Sequence, residues 1–115
     1  MELIKKEDYG DFIHFTLVDD INESPVLVTE INVRQCTPAQ WVREAVNASP
    51  QKQFLYLSCF GTKKALWRRG YGRKMLQYIK DHYPEHVLFL EVNSCGDMTN
   101  KQLKAFYESE GFREI

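Results

Sequence analysis

Cysteine is scarce in this 115-residue chain and follows no pattern. Cys36, Cys59 and Cys95 are odd in number and widely spaced, none belongs to a CxxC pair, and His14, His82 and His86 add no ligand spacing to them. Neither a disulfide framework nor a metal site is therefore expected, and the thiols read as reduced, as in an intracellular protein. A long apolar run is also missing, and the opening residues Met1 to Asp8 lack the apolar core of a signal peptide, so a soluble, cytoplasmic protein without a membrane segment is expected. Nor does charge of one sign dominate. Fifteen Lys and Arg stand against sixteen Asp and Glu, and a pI of about 6.3 argues against bulk nucleic-acid binding. What remains is a chain with 43 % hydrophobic residues, enough for one small domain with its own core.

The charge that is present is concentrated. Lys63, Lys64, Arg68, Arg69, Arg73 and Lys74 fall in one stretch that no acidic residue interrupts. Within it, Trp67-Arg68-Arg69-Gly70-Tyr71-Gly72-Arg73-Lys74 reads as a glycine-containing loop running directly into an amphipathic helix. Two glycines one residue apart allow a tight turn and close backbone approach, and the helix start adds unpaired N–H donors and the positive end of a dipole. In a chain of net charge −1 this is a local anion site. Read alone, it is equally a solvated basic face with a glycine turn.

The rest of the chain alternates strand and helix signals. Phe12 to Val18 and Val26 to Val33 are rich in β-branched and aromatic residues, with turn chemistry from Asp19 to Pro25 between them, which predicts an antiparallel hairpin within residues 1–35. His14 falls on a strand face, where it is given no chemical role. Thr37-Pro38-Ala39-Gln40 has the form of a capping box with proline at the first helical position, so a helix over 37–49 is expected, with Trp41, Val42, Ala45 and Val46 as its apolar stripe. Trp41 fits a core position better than a ligand pocket.

Phe54 to Phe60 is a short apolar run closed by Gly61, as in a buried strand; Tyr71 to Tyr83 is the helix after the basic loop, stopped by Pro84; Val87 to Asn93 is a second buried strand. A right-handed crossover makes those two strands parallel and puts the basic loop at the carboxyl end of the first, where open α/β sheets bind ligands. A mixed-sheet α/β (α+β) fold is expected.

The last element repeats the capping-box signature in Thr99-Asn100-Lys101-Gln102, and a helix with Leu103, Phe106 and Tyr107 inward closes at Gly111. Phe112 is placed to pack back on Phe106 or Tyr107. Asn100 to Phe112 reads N-x-x-L-x-x-F-Y-E-x-x-G-F. With the earlier Gly70-Tyr71-Gly72 loop, this resembles the GNAT acetyltransferase superfamily, which pairs a Q/R-x-x-G-x-G/A acetyl-CoA loop with a later N-x-x-A-x-x-x-Y-E-x-x-G-F helix. Either motif alone is weak; the ordered pair, with a strand between, is specific. The resemblance covers Phe54 to Phe112. Trp67 departs from it where the family has Gln or Arg, Leu103 stands where Ala is common, and Asn93 to Thr99 is a long link. The sequence also ends where the family continues with two further strands, so a GNAT-like fold truncated after the second conserved helix is expected.

The resemblance implies an N-acetyltransferase that uses acetyl-CoA and an amine acceptor, with no metal. It implies that the backbone from Arg68 through Arg69, Gly70, Tyr71 and Gly72 to Arg73 cradles the pyrophosphate, helped by basic side chains including Lys74. Ser58, Cys59 and Phe60 would pair with the pantetheine arm as a strand does, Asn100 would orient the cofactor, and Tyr107 would protonate the CoA sulfur. For the general base, Glu91 is the first candidate as the one carboxylate in a predicted central strand, with a structural role or a water base as alternatives. Cys59 as an acyl-carrying nucleophile lacks an adjacent base in the sequence and fits packing better. Two other functions stay open: a catalytically inactive GNAT-fold protein that works by binding a partner, and a nucleic-acid binder using the basic stretch, which no recognition motif accompanies. The expected assembly is a homodimer or a complex with a target protein, covering the sheet edge next to Val87 to Asn93.

Overall fold

A computed structural model describes residues 1–93 and 98–115. Five strands form one sheet in sequence order: β1 (Leu3–Asp8), β2 (Ile13–Ile21), β3 (Ser24–Gln35), β4 (Gln53–Thr62) and β5 (His86–Phe89). The first four run antiparallel, and β5 runs parallel to β4. Three helices complete the fold: α1 (Gln40–Ala45), α2 (Tyr71–His82) and α3 (Asn100–Ser109).

The expected hairpin is β2 and β3, with a much tighter turn than the polar run suggested. Ile21 pairs with Ser24, and Asn22 and Glu23 between them both take positive φ, 51° and 67°, as a two-residue turn matched to strand twist requires. β1 was not expected at all. Its Lys5-Lys6-Glu7-Asp8 run carries no apolar alternation, and only Ile4, opposite Leu17, turns toward the core. Pairing with β2 decides its conformation, so the amino-terminal unit is a three-strand meander.

The core lies on one side of the sheet. Phe15, Leu17, Ile31, Val33, Leu55 and Leu57 meet Met75, Leu76 and Ile79 of α2, all nearly fully buried. Tyr78 sets its ring edge against Phe15 at 5.7 Å. Tyr71, Met75, Leu76 and Ile79 recur at the 3.6-residue period as the buried stripe of α2, with Tyr83 partly buried just beyond its end. The capping box of α3 is formed on both sides, Thr99 Oγ1 accepting from Gln102 N and Gln102 Oε1 from Thr99 N. Past Gly111 (φ 95°), Phe112 packs edge-on against Tyr107 at 5.5 Å.

Two elements differ from expectation. α1 spans only Gln40–Ala45, because the chain stays extended through Ala39 (ψ 151°) and no side-chain cap forms at Thr37. It buries no residue, and Trp41 is 60 % exposed, contrary to its core assignment. Arg43 holds the segment instead, donating to the carbonyls of Ser49 (2.8 Å) and Pro50 (3.2 Å) with its guanidinium 5.0 Å above the Phe54 ring. β5 stops at Phe89 and does not reach Asn93. Its pairing with β4 ends at the Tyr56–Phe89 pair, just before β4 bulges. Cys95 lies outside the described residues.

Candidate active site

The bulge is where the site begins. Asn32 pairs with Ser58 and Glu30 with Gly61, so a single β3 residue, Ile31, faces both Cys59 and Phe60. The extra residue is accommodated at Cys59, whose φ of 50° is rare for a residue with a side chain. A bulge bends and overtwists its strand, and here it coincides with the point at which β4 and β5 part. Ser58 is half-buried, Cys59 exposed and Phe60 buried beside this opening.

The basic loop follows directly. A single 3-10 turn over Lys64–Leu66 carries the chain to Trp67, whose indole N–H donates to the carbonyl of Thr62 at 2.9 Å. That bond gives Trp67 a task where the family has Gln or Arg: it pins the loop to the end of β4. Arg68 (φ 66°) and Gly70 (φ 83°) supply the left-handed turn that aims the chain into α2, with Gly70 as the residue before the first turn. No side-chain cap hydrogen bond forms at that turn among the described residues, so the first N–H groups of α2 are directed toward the loop as donors.

Between the loop, the end of β4 and α3 lies a cleft of about 440 Å³. Phe60 forms its floor, Trp67, Arg68 and Gly70 one wall, and Gln102, Phe106 and Glu110 the other. Arg68 and Arg69 are exposed and enter no ion pair among the described residues. Three other site residues are already engaged. Tyr71 donates its hydroxyl to Asp19 at 2.7 Å, Arg73 pairs with Glu110 at 2.8 Å, and Lys74 pairs with Glu2. The Tyr71 bond holds the Asp19 carboxyl below its ordinary value and, with burial second, pushes the phenol up. Asn100 stands exposed as the first residue of α3 and does not itself line the cleft.

Tyr107 is buried among three rings, Phe112 at 5.5 Å, Phe106 at 5.7 Å and Phe60 at 5.9 Å. It faces a second hollow, of about 1060 Å³, bounded by β5, α1 and the residues after α3. Phe60, whose ring is 5.9 Å from that of Tyr107, lines the basic cleft, whereas Tyr107 lines the second hollow and not the cleft. Glu91 does not occupy a central strand: it lies past the end of β5 and is exposed. β5 is an edge strand that ends early, which removes the burial that singled Glu91 out. Its charge is felt at Tyr56, whose phenol is pushed up first by burial and then by that carboxylate. No cluster of three His, Cys, Asp or Glu forms among the described residues. The sequence reading missed Glu110, because its carboxylate becomes relevant only when α3 packs beside α2.

The model of the acetyltransferase (GNAT) family matches residues 11–112. The chain belongs to that family. No curated protein matches the chain closely. Among solved structures, it is similar to an aminoglycoside acetyltransferase from an uncultured soil metagenomic sample (TM-score 0.66, 15 % identity, covering 94 % of this chain and 63 % of the other). It is similar to an integron cassette protein from the mobile metagenome of V. cholerae (TM-score 0.65, 14 % identity, 94 % and 58 %) and to a tyrosine-to-phenylalanine mutant of KacT (TM-score 0.60, 15 % identity, 89 % and 63 %). At these identities the likeness is one of fold. The chain spans less than two thirds of the length of each of these neighbours.

Proposed function

We propose that this protein transfers an acetyl group from acetyl-CoA to an amine. The observation that carries the reading is the joining of two features: an uncapped, glycine-led start of α2 with free Arg68 and Arg69 beside it, and a β4 bulge that opens the sheet next to it. The first suits a pyrophosphate, through N–H donors, a helix dipole and two unpaired guanidinium groups. The second parts β4 from β5 past the Tyr56–Phe89 pair, and an extended amide-bearing arm lies along the backbone around Ser58, Cys59 and Phe60 as a strand would.

Acetyl-CoA supplies the activated thioester. The protein's part is to hold that carbonyl in line with the amine and to manage protons. A backbone N–H of the bulge polarises the carbonyl. Tyr107, beside Phe60, is the proton donor for the departing sulfur, a role that the family motif implies for it. Asn100 orients the cofactor, as the same motif implies. Arg73 pairs with Glu110 through Nε and Lys74 with Glu2, and each keeps further N–H donors for phosphate.

Acetyl-CoA titrated by calorimetry tests the binding half of this reading, and mass spectrometry of lysate proteins and amines after incubation with acetyl-CoA tests the chemical half. Micromolar binding with a new acetyl mass on an amine is the expected result. Binding without any transfer would instead favour a partner-binding protein that keeps the fold. Aminoglycosides belong in the first acceptor panel, since one structural neighbour is described as acting on them. The outer edge of β5 has no strand partner among the described residues, and Trp41 is exposed beside the same hollow. A homodimer or a bound target covering that edge is part of the proposal, and sedimentation equilibrium at micromolar concentration reads it.

A further inference from the structure

Four polar residues lie in one row across the sheet. Glu7 on β1 pairs with His14 on β2, His14 with Asn32 on β3, and Asn32 with Ser58 on β4. Alternation along β2 places this row on the face away from α2, since the neighbouring Phe15 points to Tyr78. The row ends at Ser58, the residue before the bulge. We infer that His14 accepts the proton of the incoming amine and that Asn32 positions it to do so; this rests on the acetyl-transfer reading above.

The tautomer follows from the one hydrogen bond that the ring makes among the described residues. His14 Nδ1 lies 2.5 Å from Asn32 Oδ1. An amide oxygen only accepts, so Nδ1 carries the hydrogen and Nε2 keeps its lone pair as the basic atom. The ring is half-buried, which leaves it within reach of water. Two strand spacings separate β2 from β4, about 10 Å, so the proton crosses by way of water from the bulge. The charged groups facing the imidazole are Glu7 opposite it on β1, Lys5 beside Glu7, and Glu30 and Arg34 flanking Asn32 on β3. Tyr9 donates to Glu7 at 2.7 Å.

The step balances as follows. An alkylammonium acceptor gives one proton through water to His14 Nε2. The freed amine lone pair forms the C–N bond at the thioester carbonyl carbon, and the C–S bond breaks with its electron pair on sulfur. Tyr107 protonates that sulfur, the amine's second proton restores the phenol, and His14 releases its proton to solvent.

The test uses the full chain, with acetyl-CoA and butylamine as probes. Ring-nitrogen NMR of the native protein should show His14 as the Nδ1–H tautomer, and Asn32→Leu should release it to Nε2–H. His14→Gln should lower acetylation of butylamine by about ten- to a hundredfold. Acetyl-CoA affinity by calorimetry should stay within about twofold, with the loss in kcat. An Nε2–H tautomer in the native chain, or an unchanged rate in the variant, overturns the assignment of His14 alone. A native chain that binds no acetyl-CoA, or that binds it and acetylates neither butylamine nor any lysate amine, overturns the catalytic reading and His14 with it.

Discussion

Gly72 lies against Phe106: a β-carbon at position 72 would come within 3.1 Å of the Phe106 ring and 3.2 Å of the Phe60 ring. Phe60 and Phe106 are themselves stacked, 5.6 Å apart and 13° from parallel. The second glycine of the loop is thus where α2 closes on both β4 and α3. Gly72→Val should cost about 1–3 kcal/mol of stability through overpacking, measured by urea denaturation, in addition to any loss of acetyl-CoA affinity. Gly70 is different, because a β-carbon there meets nothing within 4 Å and only its φ of 83° resists substitution. Gly70→Ala should cost about 1–2 kcal/mol, the penalty of a β-carbon in the left-handed region, leaving its effect on acetyl-CoA binding readable by calorimetry.

The Tyr71–Asp19 bond makes a pH-dependent prediction with two limits. Asp19 is held below its ordinary 3.8, so its contribution is present above that value and disappears as pH falls through the folded-state pKa. Tyr71 is raised above its ordinary 10.0, so its contribution is present below that value and is lost as pH rises through the folded-state pKa. Tyr71→Phe should therefore be less stable than the native protein near pH 7 and should converge with it at both extremes. Denaturation midpoints across the pH range give the answer; a difference independent of pH would mean that packing, not the hydrogen bond, separates the two.

These two contacts show which parts of the molecule were legible in advance. α2 and α3 were legible because their apolar stripes and stop signals, and for α3 its capping box, are local, and local chemistry decides them. The loop glycines were legible as turn residues, but the packing of Gly72 against Phe106 joins positions far apart in sequence. β1 was hidden because its partner supplies the order that its own charged residues do not signal. Thr37-Pro38-Ala39-Gln40 is a valid start signal, yet α1 buries nothing, and without a buried stripe the signal does not extend the helix. Glu91 was misplaced because a strand's end is set by its neighbour, here the bulge at Cys59, which the β5 sequence does not encode.

The Arg73–Glu110 pair sets a condition on cofactor binding. Both side chains border the cleft, and the carboxylate is only 11 % exposed. An anion entering the cleft meets Glu110 as a repulsive charge and finds Arg73 already paired through Nε. Glu110→Gln should raise affinity for CoA by about threefold to tenfold at low salt, with the gain shrinking as salt is added. Because the ion pair is exposed at Arg73, the change should leave stability nearly unaltered. Calorimetry at two salt concentrations checks both; weaker binding in the variant would show that Glu110 orients Arg73 toward the phosphates.

Phenylalanine at position 107 keeps the ring contacts that Tyr107 makes with Phe60, Phe106 and Phe112. Tyr107→Phe should therefore remain folded and bind acetyl-CoA within a few-fold of the native protein. If the phenol protonates the departing sulfur, turnover should fall by about tenfold to ten-thousandfold, with the loss in kcat and not in KM for acetyl-CoA. Tyr107 lines the second hollow, 5.9 Å from the Phe60 ring on the cleft floor. Shaving the floor with Phe60→Ala should not restore turnover to the Tyr107→Phe variant, since the missing group is a proton donor and not a path. Full activity in Tyr107→Phe alone would remove the tyrosine from the mechanism and leave water as the acid.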